Sequence, residues 1–217
     1  FFTYLDSKVG KGNYSVFLTA DHAAAHNAGF LIDNKVNAGV FLTSAHLNTL
    51  NTLLEKEFKA KNLIRSFGNY QVSLNYGAIE ANKLREADIK KRAIEFLNKQ
   101  EGVAFVVDME EAQTANIPNA FRDIILNGYN RERSGVIQII LKPGWYSGTS
   151  ARSTGATHGS LNPVDTHIPL VFMGWGIKQG KSNNTYHMTD IAPTISGLLH
   201  IQEPNGNIGK PINEVLK

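Results

Sequence analysis

The spacing of apolar residues along the chain alternates between strand-like and helix-like patterns. Strands are predicted for six short apolar runs, which are Ser15–Thr19, Gly39–Thr43, Tyr70–Tyr76, Val103–Asp108, Gly135–Leu141 and Pro169–Met173. Helices are predicted for the segments Ser44–Ala60, Ile79–Lys99, Ala120–Asn127 and Ile195–Leu199. Such alternation is typical of an α/β domain in which helices cover a largely internal sheet. The run that begins at Ser15 is apolar enough to predict a buried strand.

Local signals refine the ends of these elements. Ser44 is a candidate N-cap for the first long helix, and Thr189 is one for the last, where Pro193 fits the first turn. The longest stretch predicted to be irregular is Gly144–Asn162, which is rich in glycine, serine and threonine. Long loops in compact domains often carry function. Residues 62–132, with strands joined by a long helix, are expected to form a semi-separate lobe.

Composition narrows the class of protein. The chain has 217 residues, of which 42% are apolar and 19% charged, as in ordinary globular proteins. Its net charge is only +3 and the basic residues are dispersed, which argues against nucleic-acid binding. The densest basic stretch, Lys83–Arg92, is interleaved with acidic residues, as on a solvated helix face. The absence of cysteine excludes disulfides and thiolate chemistry, and no stretch approaches the ~20 apolar residues of a membrane span.

Asp21 and His22 stand next to each other at the exit of the first predicted strand. A carboxylate and an imidazole can ligate one metal ion together, and α/β proteins place their sites at the carboxyl ends of such strands. The three alanines that follow leave room for a bulky group. We interpret His26 as a supporting or purely structural residue, because Asn27 and Gly29 indicate a loop there.

A second candidate is His158, which lies among small residues in Gly155–Gly159. Few side chains compete for space there, so an ion or a substrate can approach the backbone. Asp165 and His167 form another acid and imidazole pair, just before the last predicted strand. They could supply ligands, orient His158 through a hydrogen bond, or only cap the strand. The sequence has no P-loop, nucleophile elbow or HExxH motif, so enzymes that depend on those motifs fit poorly.

Four motifs occur in an order that matches a known family. They are Phe17–His22, Thr157–Ser160, Asp165–Leu170 and Thr189–Thr194. With the closing Pro204 and Gly209–Ile212, the sequence from Phe17 onward resembles the C-terminal part of the alkaline phosphatase superfamily. PafA-type alkaline phosphatases and type I phosphodiesterase–nucleotide pyrophosphatases are the particular branches that it resembles. The resemblance implies that residues 1–217 form the C-terminal part of a three-layer α/β fold, in which helices sandwich a sheet.

The resemblance also implies a site with two zinc ions about 4 Å apart, which clamp the attacking and leaving oxygens of a phosphoryl transfer. Asp21 and His22 would bind the ion that activates a Thr or Ser nucleophile, and His158 would bind the other. Asp165 and His167 match supporting positions. The family's usual glycine after the Asp-His pair is Ala23 here. Zinc is favoured over magnesium because imidazole supplies two of the three ligands.

The family's nucleophile, its remaining ligands and its phosphate-contacting residues have no match in this chain. The chain also begins with Phe1 rather than methionine. We therefore expect this chain to be a fragment whose partner is the N-terminal part of the same protein. Without that part, the fragment is expected to be inactive. The complete protein is expected to hydrolyse phosphate monoesters and, by resemblance alone, to be periplasmic or extracellular. The alternatives are a phosphodiesterase or nucleotide pyrophosphatase, a sulfatase-like hydrolase, and a non-catalytic binding module of the same fold.

Overall fold

The computed structural model describes residues 1–150 and 155–216. The α-helices in these ranges are α1 (Phe2–Val9), α2 (Ala28–Asp33), α3 (Thr43–Phe58), α4 (Tyr76–Ala81), α5 (Glu86–Leu97), α6 (Asn119–Gly128), α7 (Pro163–Thr166) and α8 (Ile191–Leu199). The strands are β1 (Ser15–Leu18), β2 (Gly39–Leu42), β3 (Ile64–Gly68), β4 (Gln71–Leu74), β5 (Val103–Asp108), β6 (Ile137–Leu141), β7 (Trp145–Gly148) and β8 (Val171–Gly174). None of these helices is long and apolar enough to cross a lipid bilayer.

The chain divides into two compact units. The middle unit is His22–His167, and the terminal unit joins Phe1–Asp21 to Ile168–Lys217. The lobe expected at residues 62–132 falls inside the middle unit and stays a prediction.

The core of the middle unit lies against a four-stranded antiparallel sheet with the order β3-β4-β6-β5. All five residues of β6 are buried. Helices α3 and α5 contribute Leu50, Leu54, Ile89, Ala93 and Leu97 to the same core, each without exposed surface. Burial of apolar surface stabilises a fold by about 25 cal/mol per Å², so this cluster is the main stabilising feature of the unit.

Strand β7 lies inside Gly144–Asn162, which the sequence predicted to be irregular, so that prediction was wrong for this part of the stretch. The strand forms because Trp145 is buried where two glycines leave space for its ring. A Cβ atom at Gly39, opposite Trp145 in the parallel β2–β7 pair, would lie 2.5 Å from the indole, and one at Gly102 would clash with the same ring. Residues 151–154 of the stretch lie outside the described residues.

The single helix predicted at Ile79–Lys99 is two helices, α4 and α5. The Asn82 side chain donates to the carbonyl of Ala78 (2.8 Å) at the end of α4. Lys83 then takes a left-handed conformation, with φ 53°. A side chain that bonds the local backbone competes with helix continuation, so the polar turn divides a segment whose apolar spacing alone looked continuous.

Three local predictions about caps and loops were also wrong. Helix α3 begins at Thr43, so Ser44 lies within it and does not cap it. Thr189 belongs to a 3₁₀ turn, Met188–Asp190, and α8 starts after it, with Pro193 in the first turn as predicted. The supposed loop after His26 is helix α2, because the Asn27 side chain accepts a hydrogen bond from the amide of Phe30 (3.1 Å) and caps the helix.

Strand β1 was predicted to be buried, and the structure contradicts this. It pairs antiparallel with β8, and these two strands form a sheet of their own among the described residues. Phe17 is 45% exposed and Leu18 is 63% exposed. Their apolar character is typical of a strand covered on both faces, but a sheet of two strands leaves much of each face in contact with solvent.

The tight turn between β3 and β4 places two consecutive residues in left-handed backbone conformation. The φ angles are 50° at Asn69 and 60° at Tyr70. Hairpin turns of this kind favour Asn-Gly, so tyrosine is unusual in the second position. Its hydroxyl accepts a hydrogen bond from the amide of Ser147 (3.1 Å), and its carbonyl accepts one from the amide of Ile139 (2.7 Å).

Candidate functional site

The structure brings two of the three predicted metal ligands together. The imidazole rings of His22 and His158 stack with their centroids 3.5 Å apart and an interplanar angle of 9°. His22 is half-buried and His158 is exposed. The two imidazoles therefore lie face to face, so the structure brings two possible nitrogen ligands close together.

A hydrogen bond fixes the tautomer of His22. Its Nδ1 lies 2.6 Å from the carbonyl oxygen of Ala23. A carbonyl can only accept, so Nδ1 donates in this contact, and in the neutral ring the lone pair is then on Nε2. A backbone carbonyl that binds one ring nitrogen in this way is the usual orienting partner of a metal-ligating histidine.

Backbone hydrogen bonds join the residues after His22 to the residues around His158. The amide of Ala23 donates to the carbonyl of Asp165, and the amide of Ala25 donates to the carbonyl of Thr157, both at 2.9 Å. The alanine in place of the family's usual glycine therefore takes part in this pairing through its backbone.

The side chain of Asp165 is buried, with 3% of its surface exposed. Its Oδ2 accepts a hydrogen bond from the amide of Ser160 (2.7 Å). Its Oδ1 is buried and has no hydrogen-bond partner among the residues that the structure describes. Asp165 thus acts on the His158 segment through the backbone of Ser160.

The other predicted site residues, Asp21, His26 and His167, are exposed. Asp21 is exposed and is the last residue of the first stretch of the terminal unit, next to His22 in the chain. His26 is exposed, with its ring 6.2 Å from that of Phe30. His167 is exposed at the end of α7.

Sequence reasoning missed two buried polar residues next to His158. Ser160 and Asn162 are 7% and 2% exposed. The Asn162 side chain donates to the carbonyl of Leu141 at the end of β6 (3.1 Å). An asparagine directly before a proline is a recognisable helix start, and α7 does begin at Pro163, but this signal does not indicate burial.

The described residues contain no group of three or more histidine, aspartate or glutamate side chains placed to hold a metal ion. The donor chemistry nevertheless fits zinc. His22 presents a defined imidazole lone pair beside a second imidazole, and zinc is commonly bound by histidine nitrogen.

Comparison with known proteins gives a family and several relatives. The family model of type I phosphodiesterase / nucleotide pyrophosphatase matches residues 1–161. A calcium-transporting ATPase of Myroides odoratus is 53% identical over 217 residues, alkaline phosphatase PafA of Elizabethkingia meningoseptica 47% over 216, and alkaline phosphatase PhoV of Synechococcus elongatus 46% over 217. Each match covers 100% of this chain, which spans 39%, 39% and 38% of these relatives' lengths, respectively.

The fold also matches solved structures. Crystal structures of wild-type alkaline phosphatase PafA and of a substituted variant superpose with a TM-score of 0.91 and 46% sequence identity. The matches cover 100% of this chain and 40% of the variant's chain or 41% of the wild-type chain. The fold predicted from the motifs, a partial α/β domain of alkaline phosphatase type, is confirmed.

Proposed function

The chain belongs to the type I phosphodiesterase / nucleotide pyrophosphatase family, and from this premise we propose that it is the C-terminal part of a dizinc phosphate-monoester hydrolase. The observation that carries the proposal is the stacked pair of His22 and His158. Two-metal sites hold their ions roughly 3.5–4 Å apart. The centroids of the two stacked imidazoles are 3.5 Å apart, which supports ligation of neighbouring ions.

Asp21 and His22 are the proposed ligands of one ion, and His158 is the proposed ligand of the other. When bound, zinc would supply Lewis-acid stabilisation of the attacking and leaving oxygens. The task of this chain's residues is to present oxygen and nitrogen donors in fixed orientation. Protonation of His22 at Nδ1 supports that role, because it directs the ring's lone pair through Nε2. His26 and His167 are proposed as supporting residues only.

The fragment alone is proposed to be inactive. The alkaline phosphatases that it matches are about two and a half times as long as the aligned part, since the chain spans 39% and 38% of them. The family resemblance implies that the nucleophile and the remaining metal ligands come from the N-terminal part of the complete protein. Export to the periplasm or the cell surface is a further proposal on the same resemblance.

The test is hydrolysis of p-nitrophenyl phosphate by this chain and by the protein that its complete reading frame encodes. We expect turnover only from the complete protein, with loss on chelation and recovery with zinc. Asp21→Asn and His158→Gln should each lower kcat/KM beyond the roughly 10–100-fold that loss of an outer residue costs. His200→Asn is the matched control, because His200 is exposed and has the left-handed backbone that asparagine tolerates.

Substrate preference is measured on the same proteins. A monoester, a diester, a sulfate ester and ATP would be compared, ATP because one relative is named a calcium-transporting ATPase. Faster turnover of the diester or the sulfate ester would replace the monoesterase proposal by the corresponding alternative. Activity of the complete protein that survives both chelation and His158→Gln would contradict the metal site itself, and activity of this chain alone would contradict its inactivity.

A further inference from the structure

Three polar side chains that follow His158 are buried together. Ser160, Asn162 and Asp165 are 7%, 2% and 3% exposed. Polar groups are buried at a cost unless they are hydrogen-bonded, so a cluster of three within six residues requires a specific set of partners. We call these residues the anchor cluster.

The anchor cluster forms a continuous hydrogen-bonded path from the sheet to the histidine segment. The Asn162 side chain binds the carbonyl of Leu141 at the end of β6 (3.1 Å), and the Asn162 carbonyl accepts from the amide of Asp165 (2.9 Å). The Asp165 carboxylate then accepts from the amide of Ser160 (2.7 Å), two residues after His158. The position of the His158 segment is thereby tied to a fully buried strand.

The same path continues to the segment of the other histidine. The carbonyl of Asp165 accepts from the amide of Ala23, the residue after His22. Asp165 therefore bonds one histidine segment through its side chain and the other through its backbone. A shift of this single residue would move both segments relative to the sheet.

Fold stability alone gives a poor reason for a carboxylate at this position. One oxygen of Asp165 is buried without a partner among the described residues, and such a group costs roughly 1–3 kcal/mol. A role in metal binding gives a better reason. Loss of an outer residue that orients a metal-ligating histidine weakens metal binding roughly 10–100-fold.

We propose that Asp165 is a positioning residue that sets the stacked arrangement of His22 and His158, with Asn162 fixing it to the sheet. The proposal rests on the proposed metal site for its purpose, and the arrangement it explains is made by this chain's own residues. The hydrogen-bond acceptor of Asp165, rather than its negative charge, is the feature that matters.

The first test is NMR of the metal-free chain. Wild-type protein should show nuclear Overhauser contacts between the rings of His22 and His158, and slow exchange of the Ser160 amide. Asp165→Ala should lose both, whereas Asp165→Asn, which retains an oxygen acceptor, should keep both. Val164→Ala is the matched control, because Val164 lies on the same short helix with an exposed side chain and should change neither.

The second test is a titration of the metal-free complete protein with zinc alone, because the remaining proposed ligands lie in its N-terminal part; it is followed through the imidazole resonances of the two histidines. We expect both to respond in wild type, and the half-saturation concentration to rise roughly 10–100-fold in Asp165→Ala and to recover in Asp165→Asn. If Asp165→Ala does not fold, Asn162→Ala is examined in its place, with the same expected losses.

The outcomes separate the two proposals. Ring contacts that persist in a folded Asp165→Ala or Asn162→Ala variant would overturn the positioning role. Loss of those contacts in Asp165→Asn, with the Ser160 amide still protected, would also overturn it and would assign the effect to charge. Histidines of the complete wild-type protein that do not respond to zinc, with ring contacts still dependent on Asp165, would instead contradict the metal site and leave the positioning role supported.

Discussion

At the scale of single residues, Lys90 on α5 differs from the exposed charged residues around it because it is buried and paired with two carboxylates. Its side chain is only 7% exposed and binds Asp108 at 2.9 Å and Glu110 at 2.6 Å. Burial lowers the pKa of Lys90, but the hydrogen bonds to Glu110 and Asp108 raise it by more, so the net shift is upward. The same hydrogen bond from Lys90 lowers the pKa of Glu110.

We expect Lys90→Met to destabilise the chain at neutral pH by about 2–3 kcal/mol, because it leaves Asp108 without its buried partner. This is below the ~3–5 kcal/mol of a fully buried pair, since Glu110 is half exposed. Urea unfolding measures the change. Lys91→Met, at the exposed neighbouring position, should change stability by less than about 0.5 kcal/mol. An equal loss in both variants would contradict a specific role for Lys90.

The same pair predicts a pH dependence. The pKa of Glu110 is lowered in the folded state, so its contribution is present above the unfolded pKa of about 4.3 and is lost as pH falls through the folded value. The stability difference between wild type and Lys90→Met should therefore shrink as the pH is lowered from 5 to 3. Urea midpoints across that range test this, and a constant difference would contradict it.

Sequence reasoning found residues that stand in recognisable motifs. It missed residues whose role depends on contacts with distant parts of the chain. His22 and His158, far apart in the chain, were paired through family motifs and do stack. Lys83–Arg92 was interpreted as a solvated face, which is wrong for Lys90 because Asp108 and Glu110 approach it from outside the helix. Nothing in the local pattern around Asn162 indicates that it bonds the end of β6.

At the scale of elements, the start of helix α8 is joined to the closing segment of the chain by the side chains of Thr194 and Asp190. Thr194 has no exposed surface, and its hydroxyl donates to the carbonyl of Asp190 (2.6 Å) while accepting from the amide of Ile212 (2.8 Å). Asp190 accepts in turn from the amide of Lys210 (2.9 Å). The start of the helix thus supplies hydrogen-bond partners that the extended segment would otherwise lack.

Thr194→Val preserves the side-chain shape and removes both bonds. We expect a loss of about 1–3 kcal/mol, the cost of a buried amide without a partner, together with faster exchange of the Ile212 amide. Thr49→Val is the matched control, because Thr49 also donates to the carbonyl four residues earlier but is exposed. Unchanged exchange at Ile212 would show that another group replaces the hydroxyl.

Elements with a strong local signal were predicted well, and those that depend on partners were not. The bounds of β5 agree with the prediction at both ends, because an apolar run without interruption leaves little choice. Strand β3 was not predicted, since its sequence, Ile-Arg-Ser-Phe-Gly, has no such run and forms by pairing with β4. Strand β1 was located correctly, but its burial was not predicted correctly. The exposure of a strand depends on which residues cover its sheet, and apolar spacing within the strand does not show which residues those are.

At the scale of the whole molecule, the terminal unit is assembled from the two ends of the sequence. Within this unit, β1 pairs with β8 along four residues, and the amide of Trp175 donates to the carbonyl of Tyr14 (2.9 Å). Such long-range pairing is not visible in local periodicity, so the sequence did not indicate this division. The middle unit has its own core and sheet.

We expect deletion of residues 1–21 to remove amide protection from β8 and to leave β6 protected. The reason is that β8 loses the strand with which it pairs, whereas β6 lies between β4 and β5 in the middle unit. Hydrogen exchange with mass spectrometry resolves the two strands. Protection of Val171–Gly174 that survives the deletion would show that β8 has another partner, and loss at both strands would show that the two units unfold together.

The turn at Tyr70 sets backbone preference against side-chain contacts. Its left-handed backbone favours glycine, whereas its hydroxyl accepts a hydrogen bond from the amide of Ser147 within β7. In a library randomised at this position and selected for folding, glycine should therefore be recovered for its backbone and tyrosine for its hydroxyl. Phenylalanine would combine the backbone strain of tyrosine with the missing hydrogen bond of glycine. It should therefore be depleted below both. This position should therefore accept two residues that differ greatly in size, glycine and tyrosine. A ranking of substitutes by size or hydrophobicity would not predict that pair.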